Sequence, residues 1–502
     1  MRWIERVLCV WLIGCVVIFM IVSRHWPLTS DASLMHYVVF LMRHGMEPYR
    51  DIVDMNLPGS YIIEGTVMSV LGPGSVGWRL YDFALLALSS VSLLVILRPY
   101  GRLGGILAAA LFILIHGRDG ALMTGERDLA AAVFLQAAVA ILFTLFRRSR
   151  DGRFADILSI FAGVSAGIAL TIKPTLLLLA TSLFFWTLWS YSGRKAALKR
   201  QAVFVTCGVL LPIGVIVFFL FQHHATNAFL GEMHGLIPYH ASIHQRTIGH
   251  LLDHSIQPLL PMLLLWFVAA YLLRKQLVSP ERVALFLCAV CGLLSYVLQR
   301  KAFWYQRYPF LAFLLPLFMI DFTQLLRVRA WKLQCVGVAG LATGVVLSTI
   351  CLVHLTKYDR AEPPRQLLQD LAEIGTPQAL SGHIQCIDTI GGCIDSLYHA
   401  RIVQNTGFLY DCYMLDGANK VALDLRRHFW QQMESSPPRV IVMTNSDCYE
   451  DRPSFDRFSR WPEFQSYLDA NYALMRESGT LPPVRYWSHP MEAYQYRVYV
   501  RR

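Results

Sequence analysis

Charged residues are scarce in this chain. Of its 502 residues, 16% are Asp, Glu, Lys or Arg and 55% are hydrophobic, and the mean hydropathy is +0.43. A soluble domain carries about a quarter charged residues. Up to residue 355 the apolar residues fall into blocks of roughly twenty, the length with which a helix crosses a bilayer. The sequence therefore predicts a multispanning α-helical membrane protein rather than a soluble enzyme.

Charges are also missing from the middle of the apolar blocks. Ionisable side chains near the bilayer centre usually mark ion or substrate pathways, so their scarcity argues against a proton- or ion-coupled transporter. The first block follows the basic Arg2 and Arg6, and no small-residue cleavage site comes after it, which favours a retained helix over a signal peptide. About eleven spans are predicted, with ten or twelve left open, at 7–23, 77–97, 103–117, 129–146, 156–172, 175–191, 202–222, 258–273, 283–299, 308–326 and 334–355.

Lys and Arg alternate between dense and sparse loops. A formal net charge of +11 would suggest nucleic acid in a soluble protein, but here the alternation follows the positive-inside rule. We therefore expect the N-terminus inside and the C-terminal region outside. The basic, cytoplasmic segments are 2–6, 98–102, 147–153, 194–200, 274–282 and 327–332. The outer loops are then 24–76, 117–128, the turn at 173–174, 223–257 and 300–307. Within the first outer loop, 31–44 and 58–71 are predicted to be short helices along the membrane surface.

The composition changes after the last apolar block. We predict a membrane module over 1–356 and a small outer α/β domain over 357–502, with enough residues for its own core. Its predicted strands are 382–388, 439–444 and 494–500, and its predicted helices are 363–374 and 454–470.

Four cysteines lie in this outer domain: Cys386, Cys393, Cys412 and Cys448. An oxidising compartment would permit them to pair in any of three connectivities, which the sequence leaves open. Their spacing does not match a zinc site. Most of the other cysteines lie inside apolar blocks and behave as small hydrophobic residues.

The first outer loop holds four carboxylates, Asp31, Glu47, Asp51 and Asp54. Taken singly, each could be a solvated loop acid or a helix cap, and Asp31 before a helix fits a cap well. The loop also contains Gly-Met-Glu-Pro-Tyr-Arg-Asp at 45–51 and Asp-Met-Asn-Leu-Pro-Gly at 54–59.

With these motifs the loop resembles the first outer loop of the GT-C glycosyltransferases that use polyprenyl-phosphate sugars. That superfamily includes the protein O-mannosyltransferases and the lipid A aminoarabinose transferase. Asp31 stands where the family's Asp-Glu pair places its catalytic Asp, although Ala32 replaces the Glu. Leu-Pro-Gly at 57–59 replaces the commoner Pro-Pro-Gly. The resemblance implies a GT-C-like fold in a bacterial inner membrane and Asp31 as the catalytic base.

A second acidic segment, Thr-Gly-Glu-Arg-Asp at 124–128, precedes the fourth span. Family members similarly carry an acid in this loop, which suggests a catalytic role for Asp128. The alternative is a carboxylate that only stabilises the helix N-terminus, by less than about 1 kcal/mol.

A third segment, 299–309, is basic and aromatic although it lies on the predicted outer side. Arg300, Lys301, Tyr305 and Arg307 are predicted to bind a lipid phosphate, since an anionic partner would explain the break in the charge rule. Lys173 is a further candidate on the same side. The alternative is an aromatic belt with cations that extend to the interface.

The loop 223–257 holds seven histidines, whose spacings match no metal signature. No metal site is predicted and no cofactor is required, although a divalent cation is left open. Glu232, Tyr239 and Arg246 could equally line a sugar pocket. No glycine-rich nucleotide loop is present in the sequence, which agrees with a lipid-linked donor.

The sequence thus predicts an inverting glycosyltransferase, a hexosyl- or pentosyltransferase, that moves a sugar from a polyprenyl-phosphate donor to an envelope glycan, lipid or protein. Asp31 would be the base, Asp54 or Asp128 would position acceptor or sugar, and the cations would stabilise the leaving phosphate. One alternative is a transporter or flippase of lipid-linked glycans, which predicts broken helices with polar residues near the midplane. Another is a non-catalytic assembly partner, which Ala32 leaves open.

Overall fold

A computed structural model describes residues 2–29, 31–148, 152–190, 195–274, 279–355, 363–388, 392–415, 419–446, 454–478, 484–485, 490–491 and 495–502. We number helices and strands in chain order. Up to residue 355 these are α1 Arg2–Ser23, α2 Asp31–Arg43, β1 Ile52–Val53, α3 Pro58–Val70, α4 Ser75–Leu97, α5 Arg102–Asp119, α6 Arg127–Arg148, α7 Arg153–Ile172, α8 Leu177–Ser190, α9 Lys195–Gln222, α10 Thr226–Ser242, α11 Ile248–Ile256, α12 Leu260–Leu273, α13 Pro280–Gln299, α14 Tyr308–Leu325 and α15 Trp331–Val353.

A helix lies at each of the eleven predicted spans. Among the described residues, eight helices are long and apolar enough to cross a membrane, and nine if α11 and α12, which meet at 89°, form one broken span. The helices at the remaining two predicted spans, α5 and α8, are too charged or too short to be counted. Helix α5 carries Arg102, Arg118 and Asp119 at its ends, and α8 has 14 residues. The chain is a multispanning helical membrane protein, as predicted.

Small residues let the membrane helices pack closely. Gly163 on α7 faces Gly208 on α9, and a side chain at either position would overlap the backbone carbonyl of Val205 or Ile160. Such contacts favour helix association in lipid, where burial of apolar surface supplies little. Helix α14 lies innermost, since every residue from Tyr308 to Leu325 is buried.

The two helices predicted along the membrane surface are present as α2 and α3, and α2 is buried within the protein. Its residues from Ala32 to Leu41 are all buried, and it packs against α3 and the C-terminal region. The position of α2 along the membrane surface stays a prediction, and the structure adds that its apolar side chains have partners on every side.

The described C-terminal residues form a mixed α/β fold, which confirms the predicted class. Its elements are α16 Pro363–Ile374, α17 Pro377–Leu380, β2 Ile384–Ile387, α18 Cys393–Ala400, β3 Gly407–Phe408, α19 Cys412–Leu415, α20 Lys420–Ser435, β4 Val440–Thr444, α21 Pro462–Asn471, β5 Tyr472–Glu477, β6 Val484–Arg485, β7 Pro490–Met491 and β8 Tyr496–Arg501. The main sheet has the order β2-β4-β8-β5, with β2 parallel to β4 and both other pairs antiparallel.

The predicted strands correspond to β2, β4 and β8, and the first predicted helix is α16. The predicted helix 454–470 is instead a 3-10 turn, Phe455–Arg460, followed by α21. Pro462 explains the break, because it cannot donate the hydrogen bond that a continuous helix would need there. Strand β5 was not predicted.

The C-terminal region is hydrogen-bonded to the first loop. Strand β1 pairs in parallel with β3, with Ile52 opposite Gly407. The buried hydroxyl of Tyr37 on α2 donates to the carbonyl of Ile402 at 3.0 Å. The two parts are therefore joined through backbone and side chains, while the predicted boundary at 356/357 lies outside the described residues.

A disulfide joins Cys386 and Cys393, which selects one of the pairings left open by the sequence. It links the end of β2 to the start of α18, the helix that packs on α2. Cys412 is a buried thiol, and Cys448 lies outside the described residues.

Replacing this disulfide should destabilise the C-terminal domain. The bond closes a short loop, for which loss of the cross-link costs about 2–3 kcal/mol through the greater freedom of the unfolded chain. Thermal unfolding of Cys386→Ser/Cys393→Ser should show this loss. Cys335→Ser, which removes an exposed free thiol, is the control and should leave the unfolding midpoint unchanged.

Candidate functional site

Acids and bases from five segments converge above the helices, next to the C-terminal region. We call six of them the charge cluster: Asp31, Asp54, Glu126, Arg127, Asp128 and Lys173. They come from the start of α2, the segment after β1, the loop before α6, the first turn of α6 and the residue after α7. Four carboxylates against two cations make the cluster acidic.

Arg127 is the centre of the charge cluster. Its Nη2 donates to Asp31 Oδ2 at 2.6 Å, and its Nη1 donates to the side-chain oxygen of Asn56. The Arg127 and Asp31 side chains are 20% and 23% exposed. Among the described residues, Arg127 is the ion-pair partner of Asp31, which it binds through Oδ2.

Asp54 is fully buried and fixed by neutral donors. The Asn56 amide donates to its Oδ1 at 2.8 Å, and the Tyr61 hydroxyl donates to its Oδ2 at 2.8 Å. The same Asn56 amide also reaches the hydroxyl of Tyr410 at 3.3 Å. Asp54 is thereby connected, through Asn56, to Arg127 on one side and to the C-terminal domain on the other.

Glu126 is buried, and its pKa lies well above the usual range. Burial is the main cause, and the negative charges of Asp31 and Asp128 add to it, while Arg127 opposes it. The predicted sites included Asp128 but not Glu126, although both stand in the same acidic segment. The sequence does not indicate that Glu126 is buried.

Asp128 and Lys173 form an ion pair. Burial lowers the pKa of the Lys173 ammonium, and the neighbouring Asp128 partly restores it. Two residues predicted for different roles, one catalytic and one for phosphate binding, are therefore direct partners.

Two tyrosines border the charge cluster. Tyr305 lies within electrostatic reach of Asp31, Glu126 and Asp128. Tyr410, from the C-terminal region, has a pKa well above its usual range because of burial and the nearby Asp54. Tyr305 was predicted to belong to the site, whereas Tyr410 was not. Tyr410 lies 354 positions after Asn56, so the sequence around the acids of the first loop does not indicate it.

The cations of the 300–307 loop are held by protein groups. Arg307 is fully buried; its guanidinium donates to both oxygens of Asp119, at 2.7 and 2.6 Å, and lies 4.6 Å from the Trp304 ring centre. Lys301 is buried and donates to the carbonyl of Ile243. Arg300 is exposed and donates to a side chain of the neighbouring loop. The phosphate-binding role of these three cations stays a prediction.

His240 borders the same region from α10. Burial lowers its pKa to about 3, and the positive charges of Lys301 and Lys173 contribute. The ring is therefore neutral near pH 7, and it lies 2.9 Å from the hydroxyl of Tyr413. His240, one of the seven histidines of the segment 223–257, thus joins α10 to the C-terminal region.

Glu232 on α10 should make stability depend on pH. Burial and the nearby Asp54 raise its pKa to about 7. The folded state then binds more protons than the unfolded state between the ordinary carboxyl pKa and about 7, so stability should fall as the pH rises through this window. Thermal unfolding at pH 5 and pH 8 should show a smaller pH-dependent loss in Glu232→Gln than in the wild type. Glu463→Gln, an exposed acid, should leave the loss unchanged, and an equal loss in all three proteins would contradict the assignment.

No family model and no curated protein matches the sequence. Solved structures do match. The structure of ArnT from Cupriavidus metallidurans bound to undecaprenyl phosphate matches with a TM-score of 0.60 and 12% identity, over 98% of this chain and 97% of that one. The structure of the same ArnT in the apo state matches with a TM-score of 0.61 and the same identity and coverage. The archaeal oligosaccharyltransferase AglB from Archaeoglobus fulgidus matches with a TM-score of 0.48 and 11% identity, over 86% of this chain and 69% of that one. The chain therefore has the fold of ArnT, in agreement with the fold that the resemblance of the first loop implied.

Proposed function

We propose that this protein is an inverting glycosyltransferase that moves a sugar from a polyprenyl-phosphate donor to an envelope acceptor. The observation that carries the proposal is Asp31, aligned by Arg127 within a largely enclosed charge cluster. The GT-C fold adds support, since ArnT with this fold has been solved with undecaprenyl phosphate bound.

Asp31 is proposed as the base. One carboxylate oxygen is fixed by Arg127, and the other would accept the proton of the acceptor hydroxyl. The hydroxyl oxygen would then form a bond to the anomeric carbon as the bond to the phosphate oxygen breaks. A single displacement inverts the anomeric centre.

The neighbouring acids would position the substrates. Asp54 is held rigidly by Asn56 and Tyr61 and would orient the acceptor or the sugar. Asp128, paired with Lys173, would do so from the other side. Burial of the charge cluster beneath the C-terminal domain would limit hydrolysis of the donor by water.

The leaving phosphate would be stabilised by cations and hydroxyl donors. Of the predicted phosphate ligands, Lys173 belongs to the charge cluster and Tyr305 borders it. Lys301 and Lys173 both lower the pKa of His240 through their positive charges, so both lie near this histidine. Lys301 would therefore be the next cation to contact the phosphate. Arg300 and Arg307 would then contribute at the edge, and phosphate binding by Arg307 would compete with its pair to Asp119.

We further propose that the site lies at the outer face of a bacterial inner membrane, with residues 357–502 as a periplasmic domain. The distribution of basic loops supports this orientation. The Cys386–Cys393 disulfide also agrees with an oxidising compartment.

The proposal is tested by comparing envelope glycans, by mass spectrometry, in a deletion strain and in the same strain complemented with the wild type. We expect one glycan, lipid or protein species to lose the mass of a single sugar in the deletion strain and to regain it on complementation. Purified protein in vesicles with the undecaprenyl-phosphate-linked sugar should then release undecaprenyl phosphate only when the acceptor is present. Unchanged glycans together with no release would contradict catalysis. Movement of intact donor across the vesicle membrane would instead favour the flippase.

A further inference from the structure

A second polar group lies inside the helical part, directly beneath the charge cluster. It comprises Arg79 and Asp82 on α4, His116 on α5 and Tyr308 at the start of α14, none more than 2% exposed. Asp82 Oδ2 accepts from Arg79 and lies 3.3 Å from His116 Nε2. His116 Nδ1 in turn lies 2.7 Å from the Tyr308 hydroxyl. We call these four residues the buried network.

The other carboxylate oxygen of Asp82 leaves the buried network and reaches the loop above. Oδ1 accepts the backbone N–H of Gly125 at 2.7 Å. One turn earlier on α4, Trp78 donates its indole N–H to the carbonyl of Thr124 at 2.8 Å. These groups belong to the same peptide unit, so α4 holds that unit through both its donor and its acceptor. The next two residues of the chain, Glu126 and Arg127, belong to the charge cluster.

The shape of this turn fits the same interpretation. Gly125 has a φ of +64°, which favours glycine, and a side chain there would lie 2.5 Å from the Trp78 ring. The turn therefore rests directly on α4.

The buried network also reaches the basic loop. Tyr308 follows Arg307, and Arg307 is paired with Asp119, three residues after His116 on α5. The loop that supplies the acids and the loop that supplies the cations thus share one anchor.

We propose that Asp82 is a positioning residue that sets the distance between these two loops. It touches no substrate; it acts by fixing the Thr124–Gly125 peptide unit relative to Tyr308, and hence Arg127 relative to Asp31. The consequence for the reaction rests on the proposed glycosyltransfer, whereas the mechanical role does not. A misplacement of about 1 Å at a reacting group can cost roughly 100-fold in rate, so such an anchor matters for catalysis.

The test uses the full-length protein in detergent or nanodiscs and the variant Asp82→Asn. The amide keeps the shape of the carboxylate but places an N–H donor against either the Arg79 guanidinium or the Gly125 N–H, both of which are donors. Hydrogen exchange measured by mass spectrometry should become faster, by roughly tenfold or more, in peptides covering 120–128 and 300–308. The kcat of the folded fraction should fall at least about tenfold, with a smaller change in the KM for the lipid-linked donor.

Asp321→Asn is the matched control. Asp321 is a fully buried carboxylate on α14 that accepts from Arg282 at 2.6 Å and from the Trp266 indole at 2.9 Å. It sits near the opposite end of α14 from Tyr308. This control should lower stability without changing exchange at 120–128 or the kcat of the folded fraction.

Each outcome decides the matter. Unchanged exchange in Asp82→Asn overturns the anchor, and faster exchange in only one loop overturns a shared one. Faster exchange with an unchanged kcat overturns the positioning role. If the wild type transfers no sugar, the proposed function fails, and the exchange measurements still test the anchor. If Asp82→Asn does not fold, Trp78→Phe loosens the same peptide unit from its other side, and the same outcomes apply.

Discussion

Asp31→Asn should slow sugar transfer by at least about 100-fold while the protein still folds. Asparagine can accept the Arg127 hydrogen bond through its amide oxygen, so the geometry around Arg127 should persist. What is lost is the basic oxygen, and removing a general base typically lowers the rate by about 10²–10⁴-fold. We expect this decrease in kcat, measured as release of undecaprenyl phosphate from the sugar-linked donor.

Glu47→Gln provides the comparison for this variant. Glu47 is an acid of the same loop that pairs with His223 at 2.7 Å, outside the charge cluster. It should keep nearly full activity. A folded Asp31→Asn protein with the kcat of the wild type would remove Asp31 as the base and would favour a non-catalytic partner.

Arg127→Met should lower both activity and stability. The substitution keeps an unbranched apolar side chain but leaves Asp31 and Glu126 without their shared cation, and it releases Asn56 from the arginine. Breaking a largely buried ion pair from one side costs up to about 3 kcal/mol, because the remaining charge is uncompensated. Since Asp31 would also lose its orientation, we expect kcat to fall by at least about 100-fold.

Arg147→Met separates the two effects. Arg147 donates to Glu281 at 2.6 Å, its side chain is 20% exposed like that of Arg127, and the pair lies at the end of the helices away from the charge cluster. We expect a similar loss of stability, seen by thermal unfolding, and no loss of kcat in the folded fraction. Equal loss of kcat in both arginine variants would show that Arg127 is only structural. Arg127→Lys should restore part of the stability but little of the activity, because a lysine cannot bind Asp31 and Asn56 at the same time in a fixed fork.

The membrane part of the fold was predictable because its signal is local. A block of about twenty apolar residues is a helix wherever it packs, and helices were found at all eleven positions. Local rules failed where the outcome depended on distant partners. Tyr37 and its neighbours on α2 are covered by α18, a contact that the local sequence does not indicate. The helix predicted over 454–470 breaks at Pro462, which lacks the N–H that a continuous helix would need there.

The sequence indicated several acids of the charge cluster but not their arrangement. Asp31, Asp54 and Asp128 were predicted from the outer loops, and the structure brings them together. Arg127, which connects two of the segments, was seen only as part of an acidic motif. Nothing in its immediate sequence indicates that its guanidinium meets Asn56, 71 positions earlier.

The pairing of β1 with β3 has a consequence for how the protein is made. Tyr410 follows β3 directly and closes the charge cluster through Asn56, so the site contains groups from both the first and the last quarter of the chain. During synthesis the acids of the first loop emerge long before Tyr410 does. About 350 further residues must therefore be synthesised before Tyr410 can cover the first loop. Chains that stop after the final span should therefore insert normally and yet leave the charge cluster uncovered on the side that Tyr410 occupies.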